Sequence, residues 1–148
     1  MSRGKPEWLV KRVECLGVVG DVEAARATAE QLSGHLFESV GLSAAFAHRL
    51  SRLGMFDAAR RHYQHAIELD PDESQYHYNL ATVERFLGNI QAANDAVTRS
   101  LELRPDDDEA HLLRAGLVTQ TTETNNVDSL LAAYTRADGQ ARRQVKLC

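Results

Sequence analysis

His62 and His65 stand one helical turn apart, a spacing that sets two imidazoles side by side and can begin a metal site. A real site needs three or four ligands, and Asp57 and Glu68 fall at the ends of the same segment. The pair therefore reads as two solvated residues on an outer helix. Asp70, Asp72 and Glu73, and then Asp106, Asp107, Asp108 and Glu109, superficially suggest calcium, but the loop glycine and the twelve-residue ligand spacing are missing. Each run sits where a helix is expected to start, so capping and the helix dipole account for it. Phosphoryl or sulfuryl transfer would need a glycine-rich anion loop, and neither G-x-x-x-x-G-K-[ST] nor G-x-G-x-x-G occurs. No nucleophile and base can be placed together. The expectation is no enzyme, with no catalytic, cofactor-binding or metal residues and no cofactor.

The elements behind these residues follow from a period. Gly20, Gly54 and Gly88 stand 34 residues apart, and Ala25, Ala59 and Ala93 keep the same step. A fixed period of that length marks a tandem helical repeat, and such arrays are quasi-one-dimensional binding surfaces. The frames are 6–39, 40–73 and 74–107, with a partial one at 108–120. Each carries two apolar stripes at helical spacing, such as Phe46, Leu50 and Leu53, then Ala59, Tyr63 and Ile67. The glycine ends the first helix of a frame because it tolerates positive φ. Asp21, Asp57 and Asn89 suit the turn and the next helix start. The alanine lets two helix backbones approach. Pro71 and Pro105 stop the second helix, since the residue before proline avoids the α region. Helices are expected near 6–17, 21–34, 40–53, 56–69, 74–87, 90–103 and 108–120.

The run Leu53-Gly54-(x)4-Ala59-(x)3-Tyr63-(x)2-Ala66-(x)4-Pro71 resembles the tetratricopeptide repeat pattern. The resemblance covers 40–107 well, 6–39 more loosely, and half a repeat at 108–120. His77 and His111 stand where that family favours Trp, as do Ser43 and Leu9, and the first repeat lacks the closing proline. The resemblance implies an all-α right-handed superhelix, an α-solenoid of antiparallel helix pairs. It has three 34-residue repeats, a partial fourth and C-terminal helices, all in one domain spanning 1–148. His77 and His111 then read as packing residues.

The totals agree with a binding module. The chain has 148 residues, and its net charge of −4 argues against nucleic acid, which needs concentrated basic surface. No run approaches a membrane span, and Met1 to Val10 contains no apolar signal core. Cys15 and Cys148 do not make a disulfide framework, and Cys15 reads as a small core residue. The expected compartment is the reduced cytoplasm, with no membrane partner. Gln120 to Asn126 is polar and reads as a loop at 120–126, followed by terminal helices at 126–137 and 139–148. Either 126–137 caps the stack or the chain is a piece of a longer protein. Val145 and Leu147 would offer a homodimer contact through the C-terminal helices. Residues from Ala110 to Cys148 also resemble the repeat region that precedes the enzyme in bacterial tetratricopeptide-containing sulfotransferase proteins. That resemblance carries an alternative function, a non-catalytic accessory domain that positions or dimerises a downstream enzyme.

The repeat resemblance further implies a concave groove lined by first helices. On this chain the lining is Glu7, Val10, Lys11 and Glu14, then Ala44, Ala45, His48, Ser51 and Arg52. It continues with Gln75, Tyr78, Asn79, Thr82, Arg85 and Phe86, then Glu109, Leu112 and Leu113. The expected groove residues are Lys11, Glu14, His48, Arg52, Tyr78, Asn79, Thr82, Arg85 and Phe86. Arginine beside aromatic rings suits a protein or peptide partner carrying a carboxylate or acidic side chain. The family's chaperone-tail clamp of Lys, Asn, Asn, Lys and Arg is not reproduced. One register gives Val10, Glu14, Ala45, Gln75 and Asn79, and the next gives Ala44, His48, Asn79, Glu109 and Leu113. A heat-shock-protein tail is therefore not the expected ligand.

Overall fold

The computed structural model describes residues 6–121, and every regular element among them is a helix. These are α1 (Pro6–Val19), α2 (Val22–Leu32), α3 (Val40–Arg52), α4 (Phe56–Leu69), α5 (Ser74–Phe86), α6 (Ile90–Leu103) and α7 (Asp108–Thr121). Gln120 and Thr121, expected to open the polar loop, continue α7. The rest of that loop, the terminal helices with Cys148, the homodimer contact and most of the sulfotransferase-like segment lie outside the described residues.

Each hairpin closes by the same local device. Gly20, Gly54 and Gly88 have φ of +87°, +73° and +82°, a region that L side chains rarely enter. The residue after each glycine donates its N–H five residues back: Asp21 to Leu16, Met55 to Leu50 and Asn89 to Glu84, at 2.9–3.0 Å. That is the Schellman closure of a helix end. The next helix then starts at once, and in α2 the Asp21 carboxylate accepts the Ala24 N–H at 3.1 Å.

The corners between repeats use a second device. At the fourth position of successive frames, Ser43, His77 and His111 donate to the carbonyls of Phe37, Pro71 and Pro105, at 3.4, 2.8 and 2.7 Å. A carbonyl only accepts, so Nε2 of both histidines carries the proton. Both histidines are hydrogen-bonded corner clamps, but only His77 is buried as a packing residue; His111, expected to pack, is exposed because its ring lies at the surface of α7.

The helices stack in order: α1 on α2, α3 on α4, α5 on α6, with α4 against α5 and α6 against α7. The odd-numbered helices also touch one another in succession and form an inner row. Ala25, Ala59 and Ala93 are fully buried where paired helices approach. Phe46, Leu50 and Tyr63 fill the core of the first two repeats, and Val97 and Leu117 that of the last two. Leu80 packs against both.

Two expectations are corrected here. Cys15 is exposed and not a core residue. Its frame equivalents Arg49 and Val83 lean on the preceding repeat, and no described repeat stands before Cys15 to cover it. His62 is fully buried and His65 partly so, and neither is a solvated surface residue. His62 meets the carbonyl of Ser33 at 3.1 Å and His65 that of Phe37 at 2.8 Å. The segment joining the first two repeats folds back over α4 and covers both rings. The nearby rings are Phe37 and Phe46, and no group of three or more potential ligands forms among the described residues.

Candidate functional site

On the inner row, α3 and α5 enclose a cleft of about 270 Å³. Helical spacing carries His48, Ser51 and Arg52 to its α3 wall and Tyr78, Asn79, Thr82, Val83 and Phe86 to its α5 wall. Six of the nine groove residues expected from the sequence converge here: His48, Arg52, Tyr78, Asn79, Thr82 and Phe86. Arg85 lies beside the cleft, its guanidinium carbon 5.5 Å from the Phe86 ring centre. Lys11 and Glu14 do not line it. Glu14 is engaged in an ion pair with Arg49 that ties α1 to α3, and Lys11 is exposed on α1. Val10 and Leu113, expected on the lining, are buried instead.

Phe56, Tyr63 and Val83 complete the walls and were absent from the expected lining. Phe56 and Phe86 stack with ring centres 4.9 Å apart and planes 8° from parallel. Phe56 opens a second helix, whereas the expected lining drew only on first helices. A periodic signal was available, because Val22, Phe56 and Ile90 keep an apolar residue at one position of every frame.

The cleft's polar groups divide into committed and free ones. The Thr82 hydroxyl donates to the Tyr78 carbonyl at 3.1 Å, and the Asn79 side-chain oxygen accepts from Gln75 at 3.1 Å. Burial pushes the Tyr63 phenol up to about 12, so it stays neutral. Burial, with Glu109 and Asp107 nearby, also raises the Tyr78 phenol. Burial and the guanidinium groups of Arg49 and Arg52 hold the His48 imidazole below its usual range. Arg52 and Arg85 are the cleft's guanidinium groups left without an ion pair among the described residues, with the Glu109 and Asp107 carboxylates nearby on the Tyr78 side. An aromatic wall beside unpaired guanidinium groups can accept an apolar side chain and a carboxylate together.

A second cleft, about 490 Å³, lies at the corner where α1 turns into α2 against the end of α3. Val18, Val22, Arg49, Arg52 and Leu53 are among its walls. A wider hollow of about 600 Å³ lies between α4 and α6 on the outer side. Its principal charged groups are already engaged. Glu84 is buried, takes the Asn89 amide at 2.7 Å and faces Arg60 at 4.0 Å, while Arg99 meets Asp72 and Glu102. No helix among the described residues is long and apolar enough to cross a membrane.

Comparison with known proteins gives the same architecture. Residues 50–117 match the family described as tetratricopeptide repeat. A tetratricopeptide repeat and J domain-containing co-chaperone, DNJ1, from Cryptococcus neoformans var. grubii is 34% identical over 97 residues, covering 64% of this chain. This chain spans about 19% of that relative's length. Among solved structures, the first such repeat domain of Spaghetti (RPAP3), bound to an HSP90 peptide, superposes with a TM-score of 0.62 at 18% identity. That match covers 76% of this chain and 89% of the other. A MamA double mutant, RS-1, superposes with a TM-score of 0.67 at 14% identity, covering 97% of this chain and 79% of the other. At these identities the structural likeness shows the fold alone. The tetratricopeptide repeat match covers residues 50–117, less than half of the chain, and the described residues form a helical solenoid like those of the solved structures it resembles.

Proposed function

We propose that this chain is an interaction scaffold that binds an extended peptide or a partner protein along its inner face, centred on the α3–α5 cleft. The observation that carries the reading is the stacked Phe56–Phe86 pair beside Arg52, which has no carboxylate partner among the described residues. An apolar surface of this kind gains by shedding water, and an unpaired guanidinium gains by meeting a carboxylate. The HSP90 peptide held by the Spaghetti domain supports the use of this fold for peptides. The different residues at the clamp positions of this chain favour a different sequence in the groove. The reading applies equally to a free-standing scaffold and to an accessory domain beside an enzyme; the second setting rests on the resemblance of residues 110–148 alone.

The test is a pull-down from source lysate with the native chain and an Arg52→Glu/Arg85→Glu double variant. Both substitutions are on exposed side chains, so the variant should keep the native far-ultraviolet circular dichroism spectrum. A partner captured by the native chain and lost in the variant is the expected result. Identical captures would refute the groove.

A further inference from the structure

The two inner clefts are one structure repeated. The corner cleft uses Gly17, Val18 and Val22 of the first frame against Arg49 and Arg52 of the second. The α3–α5 cleft uses Ser51, Arg52 and Phe56 of the second frame against Val83 and Phe86 of the third. Each residue of the second set lies 34 positions after its counterpart in the first. Arg52 is therefore the far wall of one cleft and the near wall of the next. The thirteenth position of successive frames forms a row of Val18, Arg52 and Phe86, apolar then basic then apolar. All three are exposed, Val18 at 79% and Phe86 at 58%.

We propose that this row reads an extended segment of a partner protein in which an acidic side chain stands between two apolar ones. The proposal rests on the inner-face reading above and specifies its ligand. Charge complementarity selects the middle residue, since Arg52 has no carboxylate partner among the described residues. Val18 with Val22 and Phe86 with Phe56 supply an apolar seat on either side. The pitch follows from elementary geometry. Neighbouring packed helices lie about 8–10 Å apart. A polyproline-II strand advances about 9 Å in each three-residue turn and returns its side chains to the same face. The ligand pattern is therefore apolar-x-x-acidic-x-x-apolar. It is symmetric, so it fits in either chain direction.

The probe is a fluorescein-labelled, capped peptide, Leu-Pro-Pro-Glu-Pro-Pro-Leu, whose prolines enforce the polyproline-II form. Three companions accompany it: glutamine in place of glutamate, serine in place of both leucines, and a version with single-proline spacers. Fluorescence anisotropy against the full chain should show at least tenfold weaker binding of each companion. In Arg52→Gln the glutamate and glutamine probes should bind alike. Val18→Ser should weaken the parent probe at least threefold and leave the serine probe unchanged, with native circular dichroism confirming the fold. If Val18→Ser binds as the native chain does while Arg52→Gln loses binding, the three-part row is overturned and the α3–α5 groove stands. If the single-proline version binds better, the three-residue pitch is overturned. If no probe binds the native chain, the row is overturned, and the pull-down separately decides the groove.

Discussion

Acidification should weaken this fold through His62, and the size of the loss can be worked from its surroundings. The ring is fully buried, edge-on to Phe46 with centres 4.8 Å apart, and Nε2 lies 3.1 Å from the Ser33 carbonyl. That carbonyl requires the proton on Nε2, so Nδ1 holds a lone pair, and Nδ1 has no hydrogen-bond partner. Adding a second proton would bury an N–H and a charge with nothing to receive them. The neighbouring titratable groups give little help. Arg61, His65 and His35 oppose the charge, while Glu68 faces His65 at 3.6 Å, too far for a hydrogen bond. Burial, first of all, therefore holds His62 below its usual value of 6.5, with the Ser33 hydrogen bond acting the other way.

The sign follows directly. Below the unfolded value of 6.5 the unfolded chain binds a proton that the folded chain refuses, so stability is complete above that pH and falls as pH drops. The steepest slope is about 1.4 kcal/mol per pH unit for one proton. Between about pH 7.5 and 5.5 the accumulated loss is at most about 1.4 kcal/mol, the limit for an imidazole that stays neutral in the fold. That limit corresponds to a drop in Tm of up to about 5 °C for a domain of this size. The assay is a pair of thermal melts by circular dichroism at the two pH values, for the native chain and for His62→Phe. The variant leaves the Ser33 carbonyl without its donor and should be less stable by about 1–3 kcal/mol at the higher pH, with a smaller deficit at the lower one. Its melting temperature should move less between them, by up to about 5 °C. The remaining histidines are common to both proteins and cancel in the comparison. Equal pH shifts in the two proteins would refute the argument.

Two further substitutions test the repeat itself. Gly54→Ala should destabilise by about 1–2 kcal/mol in urea titration, because φ is +73° while the new Cβ would meet no atom within 4 Å, so only backbone strain is added. Ala93→Leu should destabilise by about 1–3 kcal/mol or more, because Ala93 is fully buried in the core and extra methylenes have no room; an unchanged urea midpoint would show that the stack can spread.

The helices were legible because their signals are local and recur. A glycine forced to positive φ, a small residue at a helix crossing and a proline after the second helix act within a few residues of themselves. Repetition at 34-residue steps multiplies a weak signal. All seven helix positions, none with an end more than two residues away, follow from that logic. His62 shows where local reading stopped. Its neighbour His65 has Gln31 and Arg99 as frame equivalents, which suggest solvent, whereas those of His62 are Thr28 and Ala96, small and buried. The period contained the signal for His62, and reading the two histidines as a pair obscured it.

By itself, then, the sequence determined a stack of helix pairs and the faces that carry Arg52, Tyr78 and Phe86, because helical period and turn chemistry act along the chain. Only the tertiary structure decided which residues meet across it. It stacked Phe56 on Phe86, placed Arg52 between two clefts, and closed the Ser33–Phe37 segment over His62. The physical reason is that these contacts depend on how one repeat is rotated and set down on the next. That geometry is fixed by the summed packing of many buried side chains, and no single position in a frame encodes it.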